Sequence, residues 1–438
     1  MQWYGELPER WLLHRVSTQF SENTTSNESL DSDTPMQFRY GEIIRKKAAE
    51  KDDVFFNGIR RYTVIQPNDI MINGLNLNYD FVSQRVAIVR EKGCMTPAYI
   101  SMRPKDSINP FFACYLFKAM DGQKILHGFG TGIRLTLGFS ELKKVYLPLP
   151  PRDEQDQIVR YLDWKVSLIN KLISAKRRQI ELLGEQRKQL ISSSVMCTGA
   201  DWKYTRLINL VDSVNAGAWG EDESGGGVNF DCIRVADFDF ERLRVKDKTY
   251  TIRNYPQKTI NKLALQNGDV LIEKSGGGDV QTVGRAVLYT GDKPVLYANF
   301  IEAVRPNNTI TGAFLTYLLA TQYYIQRNRF HFNQTTGIQN LDIKRYLRES
   351  MYIPPLSEQK SIVAHLDQQC ANIDRIIAKL NEEITLFAEY RTRLISDTVT
   401  GKLDVRGVVV PDYEVVGDVA GDDGVDLDDD AEGAEDME

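Results

Sequence analysis

The chain has 438 residues, 42% of them hydrophobic and 26% charged, which suits a globular protein of two or three domains and excludes a fibrous or low-complexity one. It holds no run of 18 or more apolar residues, and Met1-Gln2-Trp3-Tyr4-Gly5-Glu6 lacks a basic and apolar leader pattern, so neither a membrane span nor a secretory signal is expected. The net charge of −6 averages two unlike regions: residues 407–438 carry thirteen Asp or Glu and no Lys or Arg, which leaves +7 on the first 406, a balance compatible with binding nucleic acid.

In chain order, the first 150 residues read as a compact α+β domain. Pro67-Asn68-Asp69-Ile70-Met71-Ile72 and Val86 to Val89 look like strands bounded by turns, and Phe111 to Met120 looks like a helix following Pro110. Residues 151–198 then form a long spacer helix. Residues 199–353 repeat the first pattern with Gln266 to Ile272 as a strand and Gly312 to Gln326 as a helix after Thr311, and residues 354–406 form a second spacer helix. From Gly407 to Glu438 the acidic tail is expected to be disordered. Cys94, Cys114, Cys197, Cys232 and Cys370 are scattered, as are His14, His127, His331 and His365, so a disulfide framework or a zinc site is not expected and a reducing cytoplasm is.

The organisation is a duplication. Leu149 to Val195 aligns without gaps on Ile353 to Val399 at an offset of 204, with 18 identities in 47 positions against roughly three by chance. Each copy opens on Pro-Pro, a residue able to cap a helix (Asp153; Ser357) and a first-turn glutamate (Glu154; Glu358). Each then runs for about 42 residues with a heptad pattern, roughly 63 Å of helix. The seam positions are Leu162, Ile169, Lys176, Leu183 and Leu190 with Val166, Ile173, Ile180 and Arg187 in the first copy. In the second they are Leu366, Ile373, Leu380, Phe387 and Leu394 with Cys370, Ile377, Ile384 and Arg391. Stripes this apolar predict an antiparallel coiled coil related by a pseudo-twofold axis, with the globular domains at its two ends. Arg187 and Arg391 need a carboxylate or carbonyl partner on such a seam, or a docked subunit. The domains correspond more loosely, through Trp11 and Trp202, Arg103-Pro104 and Arg305-Pro306, and Thr131-Gly132-Ile133 and Thr336-Gly337-Ile338.

On these motifs the sequence resembles the specificity subunit of type I restriction-modification systems over nearly all of residues 1–406. The most specific elements are the PPxxEQxxIVxxLD starts at Pro150 and Pro354, the helix ends at Glu185 to Ile191 and Glu389 to Ile395, the closing Val399 to Arg406, and the Gly-Asp-hydrophobic-Leu-Ile-x-x-Ser-Gly pattern of Gly268 to Gly276. The resemblance implies two α+β target recognition domains, each reading half of a split, asymmetric site on double-stranded DNA. It implies helices that set the gap and dock two methyltransferase subunits, with two motor-nuclease subunits able to join, in host defence in a prokaryotic cytoplasm. This chain would be non-catalytic and carry no cofactor; the partner subunits would bring S-adenosylmethionine for adenine-N6 methylation, and ATP and magnesium for cleavage.

Candidate DNA contacts are loop residues with donors. In the second domain Lys274, Ser275, Gly276 and Gly277, with Arg285 nearby, form a run that either approaches a phosphate or makes a simple turn; Thr336, Gly337, Gln339 and Asn340 are either base readers or turn residues. In the first domain Thr131, Gly132 and Arg134 match the latter group. There Asn73-Gly74-Leu75-Asn76 replaces the Ser-Gly loop, which leaves Asn73 and Arg85 as the candidates. Two other readings compete. A self-contained adenine methyltransferase is suggested by Asn109-Pro110-Phe111-Phe112 and Phe129-Gly130-Thr131-Gly132, but the first lacks its second proline and Thr131 replaces a required glycine in the second. A coiled-coil scaffold without DNA reading would not need two divergent domains of matched size.

Overall fold

The computed structural model describes residues 3–39, 41–46, 51–79, 84–223, 225–278, 281–335 and 338–417. It divides into two units: Met1–Arg178 together with the chain from Leu380 onward, and Gln179–Lys379.

Unit 1 is built on a four-stranded antiparallel sheet. Its strands are β2 (Phe20–Glu22), β3 (Ile70–Ile72), β4 (Val86–Ile88) and β5 (Ile100–Pro104), in the order β2-β5-β3-β4. A shorter pair, β1 (Leu12–Arg15) with β6 (Tyr146–Leu149), joins the chain start to the segment before Pro150. The helix α1 (Pro110–Gly122) lies on the sheet and buries Phe112, Leu116, Phe117 and Met120 against Ile70, Ile72, Val86 and Met102. It begins where Asn109 Oδ1 accepts the N–H groups of Phe111 (2.8 Å) and Phe112 (3.2 Å), with Pro110 at a position that needs no donor. A second cluster, around Phe38, Ile65, Met71 and Met95, fills the other face.

Unit 2 repeats this frame and adds to it. Strands β8 (Val211–Ala216), β11 (Val270–Glu273), β13 (Ala286–Leu288) and β14 (Ile301–Pro306) follow the same order, β8-β14-β11-β13, and the sheet continues into β10 (Arg244–Val245) and β9 (Phe238–Asp239). The pair β7 (Lys203–Arg206) with β17 (Ser350–Ile353) matches β1 with β6. The register is also preserved, Ile70 facing Ile88 and Met102 in unit 1 as Val270 faces Leu288 and Val304 in unit 2. Here α3 (Gly312–Tyr324) covers the sheet with Phe314, Leu315, Leu318 and Leu319. Three further strands, β12 (Ser275–Gly276), β15 (Phe332–Thr335) and β16 (Ile338–Leu341), make a small sheet in the order β12-β16-β15.

The two long helices are α2 (Arg152–Val195) and α4 (Leu356–Val399), each 44 residues long and divided between the units. They run antiparallel: in unit 1 Lys176 pairs with Glu383 and Asn170 with Arg391, and in unit 2 Arg187 pairs with Asp374. Of the heptad residues, Leu162, Ile169 and Ile173 with Leu394 are buried in unit 1, where Ile384 and Phe387 are half-buried. In unit 2 Leu366 and Ile373 are buried, with Leu183, Leu190 and Ile377 half-buried. Both helices begin one residue ahead of the expected caps. The polar residue that braces each start is not Asp153 or Ser357 but the buried glutamine of the Glu-Gln pair. Gln155 accepts the Asn109 N–H (2.8 Å) and donates to Pro150 O (3.0 Å); Gln359 accepts the Thr311 N–H (2.9 Å) and donates to Pro354 O (3.0 Å) and Thr309 O (2.9 Å). Each glutamine thus ties the start of a long helix to the start of the domain helix packed against it.

The tail also departs from expectation at its beginning. Residues 407–417 form a strap along α2 in unit 1: Gln157 Nε2 donates to Val405 O (3.0 Å) and Val408 O (2.7 Å), and Val408 and Val410 pack on the core. Asn170 Nδ2 donates to Val416 O (3.3 Å) and Gly417 O (2.9 Å), and the Val416 N–H donates to Ser167 Oγ (3.2 Å). The rest of the expected disordered tail lies outside the described residues.

Candidate nucleic-acid interface

Two ion pairs anchor the loops that extend from each sheet. In unit 1 Asp69, at the turn into β3, takes Arg103 of β5 through Nε (2.8 Å) and a second nitrogen (2.9 Å), and its Oδ2 also accepts the Gln66 N–H (2.9 Å). In unit 2 Asp269 takes Arg305 in the same bidentate way (2.8 and 2.7 Å) and accepts the Gln266 N–H (2.8 Å). Bonding to the carboxylate raises the pKa of both guanidinium groups above the usual arginine value. The recurring Arg-Pro and Asp-hydrophobic motifs are therefore frame, a charge-assisted clamp with geometry that lysine could not reproduce.

Arg85 and Arg285 occupy matching places one strand away, and both turn inward. Arg85 is 0% exposed and donates to Leu75 O (2.6 Å) and Asn73 O (3.3 Å), while its own N–H donates to Asp121 (2.8 Å). Asn73 is 1% exposed, its Oδ1 accepting the Leu75 N–H (3.0 Å). Arg285 holds Glu273 with two bonds (2.7 and 3.0 Å) and lies 3.5 Å over the Phe240 ring. These three side chains are corrected from DNA contacts to internal braces: Arg85 donates to carbonyls and Arg285 to a carboxylate that would be costly to leave buried and unbonded, and Asn73 is buried with its amide oxygen spent on the Leu75 N–H.

Gln339 is corrected in the same way. It is 2% exposed, accepts the Val283 N–H (3.3 Å) and donates to Gly278 O (3.3 Å), so it splints the glycine loop from behind. Ser275 is buried and its hydroxyl bonds Asn340 Oδ1 (2.6 Å), while Asn340 itself stays exposed. Gly276 and Gly277 both have positive φ (121° and 62°), and a Cβ on Gly277 would meet Gln281 O at 2.8 Å, which explains glycine there. Lys274 is half-buried with Nζ 3.7 Å from Glu302. Thr336 and Gly337 lie outside the described residues.

In unit 1 the matching loop is a tight turn. Thr131 and Thr136 exchange backbone hydrogen bonds (3.0 and 2.9 Å), Gly132 adopts φ 76°, and Thr131, Gly132 and Arg134 are all exposed beside Ile133, which is 93% exposed. Asn78 donates to Ile133 O (3.0 Å) and holds the turn out. The sequence also puts Arg327-Asn328-Arg329 at the end of a helix, where basic residues suit the C-terminal dipole; the structure leaves both arginines exposed just beyond α3. Arg327 and Arg329 precede exposed Phe330 on a short 3-10 turn (Arg327–His331) fixed by buried Asn328, which donates to Thr282 Oγ1 (3.0 Å) and Val283 O (2.6 Å). Exposed Phe300 stands beside the glycine loop, its carbonyl accepting the Lys274 N–H (2.8 Å). An exposed aromatic among basic loop residues was the signal to look for.

Asn109-Pro110-Phe111-Phe112 is spent on starting α1, with Asn109 Nδ2 also bonded to Asp156 (2.6 Å), which removes it as an adenine pocket. Among the described residues no group of His, Cys, Asp and Glu is arranged to hold a metal, and no helix is long and apolar enough to cross a membrane.

A family model described as the type I restriction modification DNA specificity domain matches residues 84–182 and 235–386, more than half of the sequence. The chain belongs to this family. Its part is DNA specificity, and it is not a catalytic subunit. It is 23% identical to the StySPI type I restriction enzyme specificity subunit of Salmonella potsdam, the match covering 92% of this chain and 91% of that one. It is 21% identical to the MjaVIII specificity subunit of Methanocaldococcus jannaschii, covering 92% and 95%. A solved structure titled for complex assembly and conformational transition of the type I R-M system matches with a TM-score of 0.67 at 16% identity, covering 91% of this chain and all of the other, a likeness of fold.

Proposed function

We propose that each unit of this specificity subunit reads one half of a bipartite, asymmetric DNA site, through Thr131, Gly132 and Arg134 in unit 1 and through Lys274, the Gly276-Gly277 loop, Asn340, Arg327 and Arg329 in unit 2. The observation that carries this reading is a frame duplicated down to its Asp–Arg clamps, whose loop tips differ in chemistry: a threonine-bounded turn in one unit, a glycine loop with an exposed phenylalanine in the other. Like frames with unlike tips suit unlike half-sites, with backbone contacts positioning and side chains at base edges specifying.

The helices set the untouched gap between half-sites and dock two methyltransferase subunits, which bring S-adenosylmethionine; motor-nuclease subunits bring ATP and magnesium, and the assembly works in the cytoplasm. The seam residues pair the helices with each other, so docking falls to apolar side chains left exposed: Leu168, Leu172, Leu386 and Tyr390 in unit 1, Leu182 and Ile376 in unit 2. A map of N6-methyladenine in cells making this chain with a methyltransferase subunit should show a split motif of fixed gap that disappears when the chain is absent. Methylation that is identical with and without the chain would refute the reading.

A further inference from the structure

Two side chains at the loop tips have no hydrogen-bonding group, and the fold exposes both against its ordinary pattern. In unit 2, β16 points Ile338 outward, Gln339 inward, Asn340 outward and Leu341 inward. Ile338 is 53% exposed beside a buried glutamine, the reverse of apolar inside and polar outside. This register is held from several sides: Gln339 bonds Val283 and Gly278, Asn340 bonds Ser275, and the Leu341 N–H donates to Lys274 O (2.8 Å). A slip of one residue would bury Ile338 only by turning Leu341 out.

In unit 1 the chain buries Leu137 and half-buries Leu135, yet leaves Ile133 in solvent two residues earlier. Its backbone is clamped as well. The Leu135 N–H donates to Gly132 O (3.2 Å) across the turn, and the segment 74–78 grips it from behind: the Leu137 N–H donates to Gly74 O (2.9 Å), the Leu77 N–H to Leu135 O (3.3 Å) and Asn78 Nδ2 to Ile133 O (3.0 Å).

A single exposed apolar residue is ordinary on any surface, but this one is repeated. The two tips share Thr-Gly-Ile, at 131–133 and 336–338, and then diverge, with Arg134 next in one and Gln339 in the other. Residues that differ between the tips suit what differs between two half-sites; a residue that is the same suits what every half-site has in common. Isoleucine offers nothing to the donors and acceptors of base edges, and its branched side chain is stiff at χ1. The apolar surface present at every DNA sequence is the stacked face of the base pairs, whereas a thymine methyl would impose one letter on both half-sites.

We propose that Ile133 and Ile338 are apolar wedges, each entering a base step of its own half-site and unstacking it. An adenine that is to be modified must leave the stack, and a step already opened lowers the cost of that departure. The inference deepens the DNA-reading function proposed above and rests on it: polar neighbours choose the half-site and the isoleucine loosens it.

The test uses the chain assembled with its methyltransferase subunit on a duplex carrying the mapped motif, with single-turnover methylation followed at each half-site and affinity followed by fluorescence anisotropy. Ile133→Ala should slow methylation of the half-site read by unit 1 about tenfold, while the other half-site and the affinity stay within about threefold; Ile338→Ala should do the converse. Ile133→Leu, still apolar, should stay near the unaltered rate. A mismatched base opposite the target adenine, which leaves that pair already poorly stacked, should restore both alanine variants. Substitutions that slow neither half-site overturn the wedge, and so does a loss that the mismatch fails to restore. A loss that uracil in place of thymine reproduces with the unaltered chain also overturns it, in favour of a methyl contact. An unaltered assembly that methylates no split motif overturns the DNA reading and the wedge together, whereas an intact motif with silent substitutions overturns the wedge alone.

Discussion

At position 170 of α2, unit 1 carries an asparagine where unit 2, at the matching position 374 of α4, carries an aspartate, and the surroundings of the two differ accordingly. Asp374 meets buried Arg187 and also Arg242, and Arg187 donates to Glu241 O (3.1 Å), so the turn between β9 and β10 closes over a charged cluster. Asn170 meets Arg391 (2.7 Å) through its oxygen and the strap carbonyls at 416 and 417 through its nitrogen. One flank is closed by an insertion in the domain and the other by the chain end. The frame is copied, but the partner of each buried arginine follows from what covers it.

This comparison can be broken first at its charged side. Arg187→Ala strips Asp374 of its buried partner and should cost about 3 kcal/mol in urea unfolding. Asp374→Asn copies the arrangement at Asn170 and should cost clearly less; an equal loss would show that the two sites are not equivalent. Next, Arg85→Ala leaves the carbonyls of Asn73 and Leu75 buried without their donor and should lower stability by about 2 kcal/mol. Arg134→Ala, on the exposed turn of the same unit, should leave stability within about 0.5 kcal/mol. It should instead weaken binding to the cognate duplex by about 1–3 kcal/mol, read by fluorescence anisotropy.

The smallest effect is a dependence on pH. Asp163 in unit 1 bonds Tyr115 (2.7 Å) as Asp367 in unit 2 bonds Tyr317 (2.6 Å), but burial raises the Asp163 pKa above the usual value. The folded state therefore holds its proton to higher pH than the unfolded chain, so ionisation costs stability as pH rises from the unfolded pKa through the folded one. Asp163→Asn, compared with the unaltered chain in urea at several pH values, should gain relative stability across that window and level off above it. A difference that is flat with pH would remove Asp163 as its source.

Much of this frame was legible in the sequence because the duplication supplies two independent readings of each element. The helix starts at Pro150 and Pro354, α1 after Pro110 and α3 after Thr311 all follow from local pattern. The direction of the arginines was not legible. Arg85 and Arg285 carry the same donors as a DNA-reading arginine, and only the carbonyls of Asn73 and Leu75 or the carboxylate of Glu273, brought close by the fold, turn them inward. Gln155 and Gln359 were visible as repeated residues, yet their reach to Asn109 and Thr311 depends on where the domain helix lands. The strap was hidden for a related reason: the acidic composition beyond Gly417 masks the valines at 408 and 410 that pack on the core.

The central claim is that two equivalent frames read two different half-sites, and it is tested most directly by making the frames identical. A chain in which residues 11–149 are replaced by a second copy of residues 202–353, assembled with its methyltransferase subunit, should methylate a palindromic split motif built from two copies of the half-site read by unit 2. Retention of the original asymmetric motif, or methylation at a site lacking the unit 2 half, would contradict it.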